Sequence, residues 1–273
     1  MAKRYNYKHF GPALISFTLI LSVIGMIFET VAILFGYDAK MRVFKLESGV
    51  ADASVAALFI LSIAMITIAI CIGKIGKMKT KAKDSGLAEM ISSVGGFALA
   101  TSSVLFLCDT IVAKREGSKE SIEALLLFSV VLVIASIPMA INFFIGAGKS
   151  GKLATALAFF PPVWNAACLI RLYFDAETAI NDPVRILLQI TLVTVMLALL
   201  YELKLRVKGT GKIMFTVAAS LSTVLASASF MSVMLLFTIV KVGTAADMLL
   251  SAGTLLVSLY LLMRLSAYYK VRE

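Results

Sequence analysis

Two carboxylates inside apolar segments are the residues of this sequence best suited to carry chemistry. Glu29 and Asp109 each lie near the C-terminal end of a long apolar run, where the helix dipole disfavours a negative charge. By helical rise, Glu29 lies about 12 Å before Tyr37, and Asp109 lies about 7 Å before Lys114. Ionisable side chains at membrane depth are costly and often functional. Both residues are therefore candidate ligands for a cation, a proton or an amine-bearing solute.

Glu29 belongs to a stripe of small and polar residues at alternating spacings of four and three, which marks one helix face. The stripe consists of Thr18, Ser22, Gly25, Glu29, Ala32 and Gly36. We expect this face to turn inward, because a carboxylate in a membrane must be paired, protonated or hydrated. In one hypothesis Glu29 forms an outward-facing binding site with Asp109 nearby. In the other it forms an ion pair that locks helix packing, with Arg171, Arg185 or Lys114 as its partner.

A second candidate site lies where prolines interrupt two consecutive apolar segments. Transporters often bind substrates where broken helices meet near the middle of the membrane. The residues at the two breaks are Pro138, Asn142, Pro161, Pro162, Trp164 and Asn165. Both breaks lie roughly 13 Å from the predicted inner ends of their segments, and the prolines would form a hinge. The asparagines either satisfy carbonyl groups that the prolines leave free or line a binding site together with Trp164.

The composition defines the environment in which these residues act. The chain has 273 residues, of which 60% are hydrophobic and 15% charged, and its mean hydropathy is +0.96. Soluble domains are roughly 45–50% apolar and about 25% charged, so a soluble globule is excluded. The net charge of +10 indicates basic loops beside anionic lipid, not a nucleic-acid partner, because cytoplasmic loops of membrane proteins are rich in Lys and Arg.

Eight apolar segments are long enough to cross a bilayer, which needs roughly 20 helical residues. Backbone groups in lipid must be hydrogen-bonded internally, so these segments are predicted to be helices. The sequence therefore predicts an all-α, multi-pass membrane bundle that forms a single domain over residues 1–273. The predicted spans are approximately 11–36, 50–73, 88–113, 122–147, 153–173, 184–203, 213–240 and 244–268.

The distribution of basic residues predicts the orientation of the chain. With the N-terminus in the cytoplasm, the cytoplasmic segments hold 17 of the 26 Lys and Arg residues and the outer segments hold nine. Positive charge concentrates on the cytoplasmic side of membrane proteins, so both termini are predicted to be cytoplasmic. The basic loops are expected to contact anionic lipid in a plasma or inner membrane.

Several other charged residues in the spans have a structural explanation. Four carboxylates lie at helix starts, where free N–H groups and the dipole stabilise them: Asp52, Glu123, Asp182 and Asp247. Asp182 precedes a proline, as an N-cap often does, and Thr244 and Asp247 have the spacing of a capping box. Two arginines lie near helix C-termini, where the dipole favours a cation and the side chain can snorkel toward the headgroups: Arg171 and Arg264.

The sequence lacks the motifs of known catalytic or cofactor sites. The only histidine, His9, lies outside the spans, so it is not an intramembrane base. The three cysteines are scattered in apolar segments, without the spacing of a metal site or a disulfide framework. The basic loop 146–152 lacks the first glycine and the preceding strand of a phosphate-binding loop. We therefore expect no enzyme activity, no metal and no cofactor.

Two functions remain for a protein of this class. In the first, the chain binds or transports a small cationic or proton-coupled solute that enters from the outer side toward Glu29 and Asp109. In the second, it is a non-enzymatic accessory or scaffold subunit whose small-residue stripes dock a partner membrane protein. The stripes lie in the third and seventh spans, which are expected to be central: Ser92, Gly96 and Ala100; Ala218, Ser222 and Ala226; and Ala219, Thr223 and Ser227.

Overall fold

The structure is a computed structural model that describes residues 10–38, 43–45, 49–76, 78, 85–115, 122–145, 151–175 and 182–269. Within these ranges the fold consists of helices and one antiparallel pair of two-residue strands. The helices are α1 (Phe10–Val31), α2 (Val50–Ile75), α3 (Gly86–Arg115), α4 (Ile122–Ile145), α5 (Lys152–Leu157), α6 (Phe160–Phe174), α7 (Pro183–Lys208), α8 (Lys212–Leu235) and α9 (Ala245–Tyr269). The strands, β1 (Tyr37–Asp38) and β2 (Val43–Phe44), lie between α1 and α2.

The predicted all-α, multi-pass bundle is confirmed. In the described part of the chain, eight helical segments are long and apolar enough to cross a membrane, and α5 and α6 together form the fifth. Their bounds follow the predicted spans closely, with the largest difference at the end of α7. The last two residues of the predicted fourth span, 146–147, lie outside the described residues, as does much of the basic sequence between the spans.

Prolines affect the two predicted breaks differently. Pro161 and Pro162 lie in the first turn of α6, where a missing N–H group costs little. Residues 158–159 form a turn between α5 and α6, so the fifth span is interrupted as predicted. Pro138 lies inside α4, which is helical on both sides of it.

The predicted caps of α7 and α9 are confirmed. The Asp182 carboxylate accepts a 3.2 Å hydrogen bond from the N–H group of Arg185. The Asp247 carboxylate accepts a 3.0 Å hydrogen bond from the Thr244 N–H group, and the Thr244 hydroxyl accepts one of 3.2 Å from the Asp247 N–H group. Burial raises the pKa of Asp182, and hydrogen bonds from backbone N–H groups oppose this shift. The caps fix where the two helices begin.

Helices α8 and α9 form the centre of the bundle, since they are the spans with the largest buried share. Helix α8 packs against α7, α1, α9 and α2, while α3 packs against α9 and α4. Glycines permit this close approach: a Cβ atom added to Gly253 would lie 2.7 Å from Leu99, and one added to Gly96 would lie 2.9 Å from Phe143. The seventh span is therefore central as predicted, whereas the third is less buried.

Large apolar side chains cover the outside of the peripheral helices. Helices α2 and α4 are the least buried spans, and Phe59 on α2 and Ile134 on α4 are 67% and 64% exposed. Exposed apolar surface on this scale marks contact with a partner or a membrane. Its distribution over several spanning helices fits a protein embedded in a lipid bilayer.

Candidate functional site

Glu29 lies in the interior of the bundle near the end of α1, and it is only 6% exposed. The other residues of its stripe, from Thr18 to Gly36, are buried as well. A Cβ atom added to Gly25 would lie 3.4 Å from Leu58 on α2 and 3.7 Å from Ala228 on α8. The prediction that this face of α1 turns inward is therefore confirmed.

Two serine hydroxyls hold the Glu29 carboxylate. Ser54 Oγ, near the start of α2, donates to Oε1 at 2.7 Å, and Ser232 Oγ, near the end of α8, donates to Oε2 at 2.6 Å. Ser232 Oγ also lies 3.2 Å from the carbonyl oxygen of Ala228. Both serines are buried. Three helices from distant parts of the sequence thus meet at one carboxylate.

The arginines considered as ion-pair partners of Glu29 have other contacts. Arg171 Nε donates to Ser129 Oγ at 3.2 Å, and its guanidinium group lies 3.7 Å from the centroid of the Phe106 ring. Arg185 donates to backbone carbonyl groups at the end of α6, including that of Asp175 at 2.9 Å. Among the described residues, hydrogen bonds to the Glu29 carboxylate come from hydroxyls and not from cations.

Asp109 and Lys114 are not brought to this carboxylate. Both lie on α3 with exposed side chains. Helix α3 packs mainly against α9 and α4, whereas the contacts of Glu29 come from α2 and α8. The candidate site therefore consists of Glu29, Ser54 and Ser232.

An apolar cluster packs beyond Glu29, toward the C-terminal ends of α1 and α8. We call it the apolar cover, and its buried members are Ile33, Val184, Val233, Leu235 and Leu236. Three methionines, which adapt readily to changes in packing, lie against it: Met231, Met234 and Met248. Two π-helical segments, Ala32–Gly36 and Leu236–Val240, contribute to it. Such segments recur at functional sites in helices.

Further hydroxyls lie on the opposite side of Glu29 from the apolar cover. Ser22 precedes Glu29 by two turns on α1, and Ser229 precedes Ser232 by about one turn on α8. Both hydroxyls are buried and, within the described ranges, have no hydrogen-bond partner. An unsatisfied buried polar group costs about 1–3 kcal/mol. Two buried hydroxyls without a described partner thus lie N-terminal to the Glu29 site on α1 and α8.

The residues at the proline breaks lie among α3, α4 and α6. Trp164 is fully buried, and its Nε1 donates to Ser103 Oγ at 2.9 Å. Asn165 Nδ2 donates to the carbonyl oxygen of Pro161 at 2.9 Å, which supports a structural role for this asparagine. Asn142 is buried on α4, which packs against α6. The structure does not bring these residues to Glu29.

A buried ion-pair network lies at the other end of the bundle, near the C-terminal ends of α7 and α9. Arg264 donates to Glu202 Oε1 at 2.8 Å and to the Tyr268 hydroxyl at 2.9 Å, and Arg206 lies 3.7 Å from Glu202 Oε2. Arg264 is 1% exposed and Arg171 is 5% exposed, so neither arginine snorkels; a carboxylate on α7 holds Arg264 inside the bundle. In the sequence, Arg206 follows Glu202 by four residues and Tyr268 follows Arg264 by four residues. This spacing places each pair on one helix face, but it does not show that the two helices meet.

Comparison with known proteins identifies no family for this chain: no family model, no curated protein and no solved structure matches it. Across the described ranges, no group of three or more His, Cys, Asp or Glu residues is placed to hold a metal ion. The fold and the site together define a multi-pass membrane protein with an acidic group at the junction of three helices.

Proposed function

We propose that this protein binds and transports a small cationic or proton-coupled solute and that Glu29 is the central ligand. One observation carries the proposal: the Glu29 carboxylate is buried in a membrane-spanning helix, and its described hydrogen-bond partners are neutral hydroxyls. Among the residues that the structure describes, no cation is hydrogen-bonded to this carboxylate.

An ionised Glu29 carboxylate is costly inside the bundle. Hydrogen bonds from Ser54 and Ser232 stabilise an ionised carboxylate but do not neutralise it. Removing an unpaired charge from water costs several kcal/mol even after the protein relaxes. Uptake of a proton or a cation removes that cost. The site therefore favours binding of positive charge, which a structural ion pair with arginine would have prevented.

Access to Glu29 from the predicted outer side requires the apolar cover to open. Helices α1 and α8 supply Glu29 and Ser232, and both continue into the π-helical segments of the cover. A movement of these two helix ends relative to each other would open the cover and change the contact between Glu29 and Ser232. Ser22 and Ser229 offer hydroxyl groups on the opposite side. This arrangement supports alternating exposure of one carboxylate.

Flux in reconstituted liposomes tests the proposal. Gradients of protons, Na⁺ and methylammonium would serve as probes. The Glu29→Gln variant keeps the size of the side chain but loses its charge, so flux of the coupled probe should fall by about tenfold or more, which corresponds to about 1.4 kcal/mol. Glu123→Gln changes an exposed carboxylate at the start of α4 and should keep wild-type flux. Unchanged flux of all probes in Glu29→Gln would overturn the proposal.

An accessory or scaffold role is the alternative function. It depends on small-residue stripes that are free to dock a partner. On α3, Ser92 and Gly96 are buried, and Gly96 packs against Phe143 of α4; on α8, both stripes are buried. The chain therefore already uses these surfaces internally. Stable co-purification with a second membrane protein, together with full tolerance of Glu29→Gln, would favour the scaffold role over transport.

A further inference from the structure

We propose that the cation bound at Glu29 is a proton, that it is held on Oε2, and that Ser232 reverses its hydrogen bond to accept it. This inference rests on the proposed function, since it names the species that the same site binds. It follows from a difference between the two serines that contact the carboxylate.

The ionised state of the site accounts for the short contacts. An ionised carboxylate only accepts hydrogen bonds. Ser54 donates to Oε1 at 2.7 Å and Ser232 donates to Oε2 at 2.6 Å, within the short range of hydrogen bonds between a hydroxyl and a charged oxygen. Each carboxylate oxygen thus has one donor.

When Glu29 is protonated at Oε2, every donor on that side of the carboxyl group still has a hydrogen-bond acceptor. When a proton from the aqueous phase forms an O–H bond at Oε2, that group must donate, so Ser232 Oγ becomes its acceptor. The Ser232 hydroxyl hydrogen then needs a new acceptor, and the carbonyl oxygen of Ala228 lies 3.2 Å from Oγ. A hydroxyl changes partners by rotation about one bond. The exchange of hydrogen-bond partners at the site does not itself require α1 or α8 to move.

Ser54 does not offer the same exchange. Among the described residues, the Ser54 hydroxyl donates only to Glu29 Oε1, and no carbonyl oxygen takes the role that Ala228 has for Ser232. A proton on Oε1 would therefore leave the Ser54 hydroxyl hydrogen without an acceptor. With the proton on Oε2, Ser54 keeps its hydrogen bond to Oε1 in both states. This asymmetry assigns the proton to Oε2.

A metal cation fits this geometry less well. Hard divalent cations take six or more oxygen ligands at about 2.0–2.6 Å. The described contacts of the carboxylate are two hydroxyls, each within hydrogen-bond distance of one carboxylate oxygen. A metal ion would have to turn both hydroxyls away and recruit further oxygens, whereas a proton needs one acceptor.

Five charged residues lie on the structural elements around Glu29. They lie in the strand pair, at the start of α2, after the π-helical end of α8 and at the start of α9: Asp38, Lys45, Asp52, Lys241 and Asp247. Asp52, Lys45 and Lys241 are exposed, and the Asp247 carboxylate accepts hydrogen bonds from Thr244. None of these five is among the hydrogen-bond partners of the Glu29 carboxylate in the described chain.

Infrared difference spectroscopy of the protein in lipid separates a proton from Na⁺. Acidification should produce the carbonyl band of a protonated carboxyl group, and Glu29→Gln should remove that band. The band should be the same in choline and in Na⁺ buffers. If Na⁺ suppresses it, Glu29 remains a cation ligand but the proton inference is overturned. If no band depends on Glu29 between acidic and alkaline buffer, the inference is overturned as well, and the flux of Glu29→Gln decides the proposed function separately.

Matched variants test the role of Ser232. Ser232→Thr keeps the hydroxyl and adds a methyl group, whereas Ser232→Val has nearly the same shape as the threonine variant but carries a methyl group in place of the hydroxyl. We expect proton-driven flux to be lower in Ser232→Val than in Ser232→Thr by about tenfold or more, because the protonated carboxyl group loses its acceptor. Ser54→Val should differ less from Ser54→Thr than the two Ser232 variants differ from each other, because Ser54 makes the same hydrogen bond to Oε1 before and after the proton binds. Equal losses in the two valine variants, or no loss in Ser232→Val, would overturn the assignment of the proton to Oε2.

Discussion

Arg264 of α9 donates a 2.8 Å hydrogen bond to the Glu202 carboxylate of α7 inside the bundle, and this contact contrasts with the site at Glu29. Both glutamates are buried, at 4% and 6% exposure. Glu202 has an arginine within ion-pair distance, whereas the described partners of Glu29 are serine hydroxyls. One carboxylate is neutralised within the protein, and the other is suited to bind positive charge from outside it.

Loss of the Arg264 guanidinium should strongly destabilise the fold. In Arg264→Met, the described contacts left to the Glu202 carboxylate would be the Tyr268 hydroxyl at 3.3 Å and the more distant Arg206 at 3.7 Å. Removing one member of a buried pair costs about 3–5 kcal/mol, because the remaining charge is left uncompensated. The thermal unfolding temperature in detergent should therefore fall. Lys152→Met changes an exposed cation and serves as the control. An unfolding temperature equal to that of wild type in Arg264→Met would contradict the role of this network.

Close packing between α3 and α4 predicts that Gly96 does not tolerate a side chain. A Cβ atom at Gly96 would lie 2.9 Å from Phe143, whereas one at Gly86 would have nothing within 4 Å. We expect Gly96→Ala to lose about 1–3 kcal/mol through overpacking, and Gly86→Ala to be neutral or slightly stabilising. Thermal unfolding of the two variants measures the difference. Equal stabilities would show that α3 and α4 are not in such close contact.

Tryptophan fluorescence reports on the contact between Trp164 and Ser103, because Trp164 is the only tryptophan in the sequence. Because the residue is fully buried, its fluorescence should be blue-shifted and resistant to acrylamide. Ser103→Ala leaves the indole N–H group without its acceptor and should cost about 1–3 kcal/mol. Thr67→Ala removes an exposed hydroxyl bonded within its own helix and is the control. Ready quenching in wild type would place Trp164 at the surface.

The sequence predicted those features that depend on local properties. The spans follow from the length of apolar runs, and the caps at Asp182 and Thr244 follow from side chains that contact N–H groups three residues away. The inward face of α1 followed from residue spacing alone. Each of these can be recognised within one turn or one helix, because the physical cause lies in neighbouring residues.

The partners of the buried charges could not be predicted in the same way. Ser54 and Ser232 lie 25 and 203 positions from Glu29, and most serines in these helices instead bond to carbonyl groups of their own helix, as Ser129 does with Leu125. The position of Arg264 near a helix end indicates only that its side chain can snorkel. Its ion pair with Glu202 of α7 depends on how two distant helices meet. Long-range packing decides these contacts, and one sequence does not reveal it.

The predicted orientation can be tested by cysteine labelling in a variant without the native cysteines. Lys114 and Lys208 are exposed and lie at the ends of α3 and α7. The excess of basic residues predicts that Lys208 lies in the cytoplasm and Lys114 on the outer side. A membrane-impermeant maleimide added to intact cells should therefore label Lys114→Cys and not Lys208→Cys. The reverse pattern would invert the orientation, and labelling at both positions would contradict the alternation of the spans.

The most direct measurement for the role of Glu29 is flux driven by an imposed proton gradient in liposomes, compared between Glu29→Gln and Glu123→Gln. Glu29→Gln should lose about nine-tenths or more of the wild-type flux, a tenfold effect, while Glu123→Gln should retain it. Wild-type flux in both variants, with the same dependence on pH, would contradict the proposal that the buried carboxylate between Ser54 and Ser232 binds the transported charge.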